Sequence, residues 1–220
     1  MSLSKQFCWT RFGTEAGEPI ETILARKEEE RAVNGSIFLW GVGNGIKPSM
    51  QALIRHEPEP EIIFSPIRSA PRKADVAPSK VVMWMAARTM NDNHYDLPAG
   101  SLVTSRFSCR PHYALVCASD VPLDPDFDGE RFSFGALRNL LTGKPVGVSQ
   151  VTAVVRHVGG ALRETGPIYV AALRARLVPP YFVRLVEPHE IPSSLTEDDY
   201  SDFQQRLTNK RIGHDLPLFA

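Results

Sequence analysis

Gly35-Ser36-Ile37-Phe38-Leu39-Trp40-Gly41-Val42-Gly43-Asn44-Gly45 reads as a hydrophobic strand that ends on a tryptophan and runs into three alternating glycines. Glycine lets the main chain approach a ligand closely, so an aromatic plane beside bare backbone can form a flat slot. Two readings stand side by side. Trp40 is a stacking platform for a base or another planar ligand, with the Asn44 amide placed to read an edge; or Trp40 is a core residue above a tight turn. Stacking on an aromatic contributes about 1–3 kcal/mol per base and needs one open face. The glycines do not form a dinucleotide fingerprint, because the spacing to a third glycine fails and no βαβ unit with a downstream acid follows. No Gly-Lys-Ser/Thr occurs, so a Walker loop is excluded as well.

Working outward, residues 19–33 read as a helix. Ile20, Ile23, Leu24 and Ala32 give its apolar side, and Lys27-Glu28-Glu29-Glu30-Arg31 is expected to face water. Asn34-Gly35 stops it, with glycine where a left-handed cap is cheap. An aromatic-rich strand over 6–12 precedes this helix. A short helix over 48–56, with Pro48 near its start, follows the glycine turn and is broken by Glu57-Pro58-Glu59-Pro60. Beyond that break the pattern is mostly β. Strands are expected over 61–67, 80–87, 101–107, 112–119, 146–158, 168–177 and 181–186, with a short helix over 134–141. The implied fold class is α+β: a curved or barrel-like, mostly antiparallel sheet with two early helices, followed by a β-rich second half. Residues 1–192 read as a single domain with a sub-boundary admitted near 120–130. Residues 193–220 read as a polar C-terminal tail, with a helix expected over 197–209.

Composition narrows the classes. The 220 residues carry 25 Lys plus Arg against 25 Asp plus Glu. A chain of that length can bury roughly 70% of its unfolded surface. A balanced total argues against indiscriminate coating of nucleic acid, which depends on phosphate neutralisation, but it leaves room for a local basic patch. Three cysteines, Cys8, Cys109 and Cys117, are too few and of the wrong parity for a disulfide framework and suit a reducing compartment. The first ten residues have no apolar leader, and no run reaches the ~18 apolar residues of a membrane helix. The expectation is a soluble cytoplasmic protein with no membrane partner and no cofactor. Its oligomeric state is not legible.

The one sustained basic bias lies from Arg68 to Arg88, five cations against Asp75 alone. Arg68, Ser69, Arg72 and Lys73 sit in a proline-bearing loop, where guanidinium, ammonium and hydroxyl groups suit phosphate contact; the competing reading is an ordinary solvated loop. Arg106 and Arg110 with His112 and Tyr113 cluster at an expected hairpin, adding two phosphate-binding candidates and a histidine able to carry a proton near neutrality. Cys117 is not its partner, because five residues along a strand place the two on opposite faces. Flanked by Val116 and Ala118, Cys117 reads as a buried, inert thiol. His94, Asp96 and His112 show no metal-ligand spacing, and the acidic residues of 120–130 lack the calcium-loop pattern, so no metal is expected.

The order of these features resembles the PUA-like superfamily, in particular its EVE and YTH-type members. The corresponding pieces are Phe7-Cys8-Trp9-Thr10-Arg11-Phe12, the helix over 19–33 and Gly35-Ser36-Ile37-Phe38-Leu39-Trp40-Gly41. The resemblance covers the first half of the chain. It implies a curved sheet with an aromatic pocket for a modified base, walled by Trp40 with Trp9 or Trp84, while Arg11, Arg68 and Arg72 hold backbone phosphates. Gly41, Gly43 and Asn44 would border that pocket. The leading expectation is therefore a nucleic-acid-binding protein that reads a modified or unpaired base. The rivals are an enzyme acting on a nucleotide or small phosphorylated substrate through Arg106, Arg110 and His112, and a non-catalytic interaction subunit whose C-terminal strands pair with another chain.

Overall fold

The computed structural model describes residues 6–13, 20–67, 80–83, 86–98, 101–105, 112–123, 131–147, 149–158, 168–170 and 173–186. It is α+β. Strand β1 (Gln6–Gly13) leads to helix α1 (Ile20–Val33), strand β2 (Ile37–Val42), a single 3₁₀ turn (Asn44–Ile46), helix α2 (Lys47–His56) and strand β3 (Glu61–Ile67). There follow β4 (Lys80–Met83), β5 (Ala86–Thr89), β6 (His94–Asp96), β7 (Leu102–Ser105) and β8 (His112–Ala118). The rest is β9 (Arg131–Ser133), a second 3₁₀ turn (Phe134–Ala136), β10 (Leu137–Asn139), β11 (Thr152–His157), β12 (Ile168–Val170) and β13 (Leu173–Leu185).

Among the described residues, nine strands form one mixed sheet that does not close. Its main path is β10-β11-β1-β3-β13-β5-β6, and β8 lies between β13 and β2. The β1–β3 pair is parallel and the other pairs are antiparallel. The chain reaches a parallel neighbour by spending α1, β2 and α2 between β1 and β3, since parallel strands need a long crossover. Two further pairs, β4–β7 and β9–β12, lie off this sheet.

Period-two alternation sorts the side chains into separate cores. Phe38, Trp40, Ile62, Phe64, Leu115 and Cys117 point to one face, where Ile23 and Leu24 of α1 and Met50 and Leu53 of α2 cover them. The intervening residues form two cores on the other face. Phe7, Trp9, Ile63, Ala153 and Val155 pack under Phe132 and Phe134 at one end. Leu39, Ala114, Val116, Val183 and Leu185 pack with Ala87 and Leu97 at the other.

Several expectations give way here. The helix expected over 134–141 is a 3₁₀ turn followed by β10. Ser133 Oγ caps the turn by accepting from the Gly135 N–H at 3.2 Å. Leu137 is then drawn into register with His157, and Asn139 Oδ1 accepts from the N–H groups of Leu141 and Thr142, closing a turn instead of a helix. The strand expected over 80–87 divides into β4 and β5, which belong to different sheets. The one expected over 146–158 begins only at Thr152, after a turn closed by the Gln150 N–H and the Gly147 carbonyl. Pro179-Pro180, which contains a cis peptide bond, does not end a strand: β13 runs through it. Leu177 pairs with Cys117 and Phe182 with Leu115, so five steps along β13 oppose two along β8. This bulge returns Phe182 to the central face, although odd spacing in a regular strand would have put it on the opposite one.

The charged run of α1 is the largest correction. Lys27 and Glu30, expected in water, are buried. Lys27 Nζ donates to Glu30 Oε2 at 2.7 Å, and the other oxygen of Glu30 accepts the Leu39 N–H of β2 at 2.7 Å. Residues 27 and 30 share the helix face of Ile23 and Leu24, so burying that face carries both charges inward. The expected stop at Asn34-Gly35 is present, with Gly35 at φ 62° and the Ser36 N–H bonded to the Arg31 carbonyl. The expected polar tail lies outside the described residues, as do the loop over 69–79 and residues 124–130 of the acidic segment 120–130.

Candidate functional site

Two rows of side chains cross the sheet on its central face, side by side. The first is Trp40, Leu115 and Phe182, in register across β2, β8 and β13. The second lies one same-face step further and consists of Val42, Tyr113, Arg184, Arg88 and His94, in register across β2, β8, β13, β5 and β6. Directly paired antiparallel residues project to the same side. Tyr113 packs against the central core and stacks on Phe182 with centroids 5.4 Å apart and 21° between planes. Arg184 and Arg88 are half-buried, and His94 is exposed. The row thus starts at the aromatic core and emerges into solvent. At the usual strand spacing of about 4.8 Å, its four polar members extend roughly 14 Å. Asp96 follows His94 on the same face of β6 and is exposed.

Trp40 anchors the first row but offers little of its own surface. It is 8% exposed, and the rings of Phe64 and Phe12 meet it edge-on at centroid distances of 4.6 and 5.7 Å. An indole held this way is an aromatic core residue, so the role of open stacking platform expected for it does not fit its surroundings. Trp9 is not a second wall. It is wholly buried on the opposite face of the sheet, tilted against Phe134 at 5.6 Å, with Nε1 donating to Ser65 Oγ at 3.0 Å. Arg11 follows Trp9 on that same opposite face, beside Ser65 of β3. His112 is buried and belongs, by strand alternation, to the face of Ala114 and Val116. It is therefore separated by the sheet from Tyr113 and Cys117, as its spacing from Cys117 predicted. Burial pushes the thiols of Cys117 and Cys8 up in pKa, which disfavours a reactive thiolate at either. Trp84, Arg68, Ser69, Arg72, Lys73, Arg106 and Arg110 lie outside the described residues.

The glycine turn lies where β2 leaves the sheet, beside the two rows. Gly41, Gly43 and Asn44 are exposed. Gly43 has extended backbone (φ −79°, ψ 155°), and a Cβ built on Gly43 or Gly45 would meet nothing within 4 Å. Neither a left-handed conformation nor crowding within the chain demands glycine at these two positions.

The buried pair under α1 is the other concentration of charge. Burial lowers the pKa of Lys27, and Glu30 opposes that shift. Next to it, Arg31 grips Glu28 through Nε and one terminal nitrogen, each at 2.7 Å, and its other terminal nitrogen donates to the Ser119 carbonyl at 3.2 Å. Glu28 also accepts the Leu123 N–H at 2.9 Å. The Lys27–Glu30 and Arg31–Glu28 contacts lie within the helix, while Glu30, Arg31 and Glu28 each reach out to fasten it, to the Leu39 N–H of β2 and to Ser119 and Leu123 after β8.

Sequence reasoning missed the row of Arg184, Arg88 and His94 as a unit. Each reads as a lone polar residue in a different strand, and only the register brings them together. Among the described residues, no group of three or more His, Cys, Asp or Glu side chains could hold a metal ion, and no helix is long and apolar enough to cross a membrane. No protein-family model, curated protein or solved structure matches the chain.

Proposed function

We propose that the protein binds nucleic acid, holding backbone phosphates along Arg184, Arg88 and His94 and an unpaired base against the aromatic end of the same face. The observation that carries this reading is the in-register row itself. Opposed arginines on neighbouring strands repel each other, and a phosphate seated across the pair is favoured by both. Cations that track a strand beside aromatic rings are the physical recipe for single-strand binding. The open space over Gly43 and Gly45 supports it, since bare backbone there leaves room for a ligand at the rim. The resemblance of the opening strand, helix and strand to PUA-like proteins agrees with a base-reading role, and an extruded modified base is the natural target because unstacking it costs least.

The test is fluorescence anisotropy with single-stranded RNA and DNA oligonucleotides, plain and base-modified, from low to moderate salt. The parent should bind with an affinity that falls as salt rises. Arg88→Gln should weaken binding across sequences and reduce the slope of log K against log salt by about 0.7, the increment for one phosphate contact on a single strand. Absence of binding at low salt, or an Arg88→Gln slope equal to the parent's, would overturn the reading.

A further inference from the structure

Tyr181 is the most unusual residue of the central face. Its φ of 65° lies in the left-handed region, which a bulky aromatic rarely occupies. Such a conformation persists only where the surroundings impose it, and it is found disproportionately at binding and catalytic sites. Here it has a visible consequence. Tyr181 and Phe182 are consecutive, yet both pack against the central core, whereas neighbours in a regular strand would point to opposite faces. The bulge of β13 therefore adds a second aromatic to the central face, one residue before the Phe182 end of the aromatic row.

Exposure separates this ring from the others. Phe182 is buried and stacked by Tyr113, and Trp40 is enclosed by Phe12 and Phe64. Tyr181 is half-buried, and among the described residues no aromatic ring stacks on it or meets it edge-on. Three residues further along β13 is Arg184, a member of the cationic row. A half-open phenol ring on the same face and strand as Arg184, with Phe182 between them, offers what an unpaired base requires: one face to stack on and, further along, an anchor for its backbone.

We infer that Tyr181, not Trp40, is the stacking platform, and that the ligand is a single-stranded nucleic acid with one base laid on the phenol ring. This inference rests on the nucleic-acid reading above and makes it specific. The β13 bulge holds the ring on the central face, and Arg88 and His94 carry the strand away from it towards β6. Stacking is tolerant of sequence, so discrimination between bases at this position is weak and preference for an unpaired over a paired base is strong.

The experiment compares Tyr181→Asn, Tyr181→Phe and Arg88→Gln with the parent, by anisotropy with a single-stranded oligonucleotide and its duplex, alongside thermal melts. Asparagine tolerates the left-handed conformation, so the backbone of the bulge is preserved while the ring is removed. Tyr181→Asn should lose about tenfold in affinity for the single strand with an unchanged salt slope, because stacking carries no charge. Tyr181→Phe should bind like the parent, and the duplex should bind more weakly than the single strand. Parent-like affinity in Tyr181→Asn would overturn the platform role while Arg88→Gln still reports on phosphate binding. An equal loss in Tyr181→Phe would assign the effect to the hydroxyl and overturn stacking. If Tyr181→Asn melts well below the parent, Tyr181→Leu decides: recovery of stability without recovery of affinity supports the platform, and recovery of both overturns it. Failure of the parent to bind any oligonucleotide overturns this inference together with the reading beneath it.

Discussion

Helix α1 and the β13–β5–β6 end of the sheet both bring charge to the central core, and they do so in opposite ways. Under α1, Lys27 and Glu30 are sealed from water, bonded to each other, and tied to β2 through the Leu39 N–H. At the sheet end, Arg184 and Arg88 are half-buried, directly opposed in register, and continue into the exposed His94. The first arrangement satisfies its charges internally and fastens a helix. The second sets two half-buried arginines opposite each other on neighbouring strands, followed by an exposed histidine. Charge density in the sequence therefore misdirects: the densest run, at 27–31, is structural, and two arginines and a histidine from three separate strands form the candidate site.

The sharpest way to break this contrast is Glu30→Ala. It leaves the Lys27 ammonium buried without its carboxylate and removes the acceptor of the Leu39 N–H, a combination expected to cost about 3–5 kcal/mol. Urea unfolding would measure it, and a loss below about 1 kcal/mol would mean that the pair is not sealed. The double replacement Lys27→Met with Glu30→Gln removes both charges but keeps a side-chain oxygen for Leu39, and should be milder than the single change. A double variant as unstable as Glu30→Ala would place the cost in packing instead of charge.

How much of this was legible follows from the range of each interaction. Strands β1, β2, β3 and β8 and both helices were readable to within a residue or two, because their apolar periods, Asn34-Gly35 and Pro48 are local signals. The separation of Cys117 from His112 was also local, being a matter of strand parity, and the buried reading of Cys117 came from its apolar neighbours Val116 and Ala118. The solvated reading of Lys27 and Glu30 failed because the composition of a charged run does not reveal which of its residues share the buried face. The continuity of β13 was hidden because two prolines normally end a strand, and only pairing to β8 on both sides of the bulge carries it through. The cationic row could not be read at all, since register across five strands is a tertiary property. Trp40 lay between these cases: the strand was legible, but the enclosure of its indole by Phe12 and Phe64 was not.

A smaller effect sharpens the α1 side of the comparison. The Arg31 hydrogen bond holds the Glu28 carboxyl below its ordinary value of 4.5, with the Leu123 N–H acting in the same direction. A carboxyl depressed in the folded state contributes stability that is complete above its unfolded value, and that is lost as pH falls below it through the folded one. Glu28→Gln should therefore flatten the acid limb of the stability curve below about pH 4.5, with a loss at neutral pH of no more than about 1 kcal/mol for this partly exposed pair. An acid limb identical to the parent's would show that the Glu28–Arg31 contact contributes nothing measurable.

The measurement that tests the central claim most directly is an amide chemical-shift titration of the parent protein with a single-stranded oligonucleotide at low salt. The account predicts perturbations concentrated at Arg88, at His94 and over 181–185, with the amides of α1 unmoved. Shifts centred on α1, or on the opposite face around Trp9 and Arg11, would contradict it, as would a spectrum unchanged by saturating oligonucleotide.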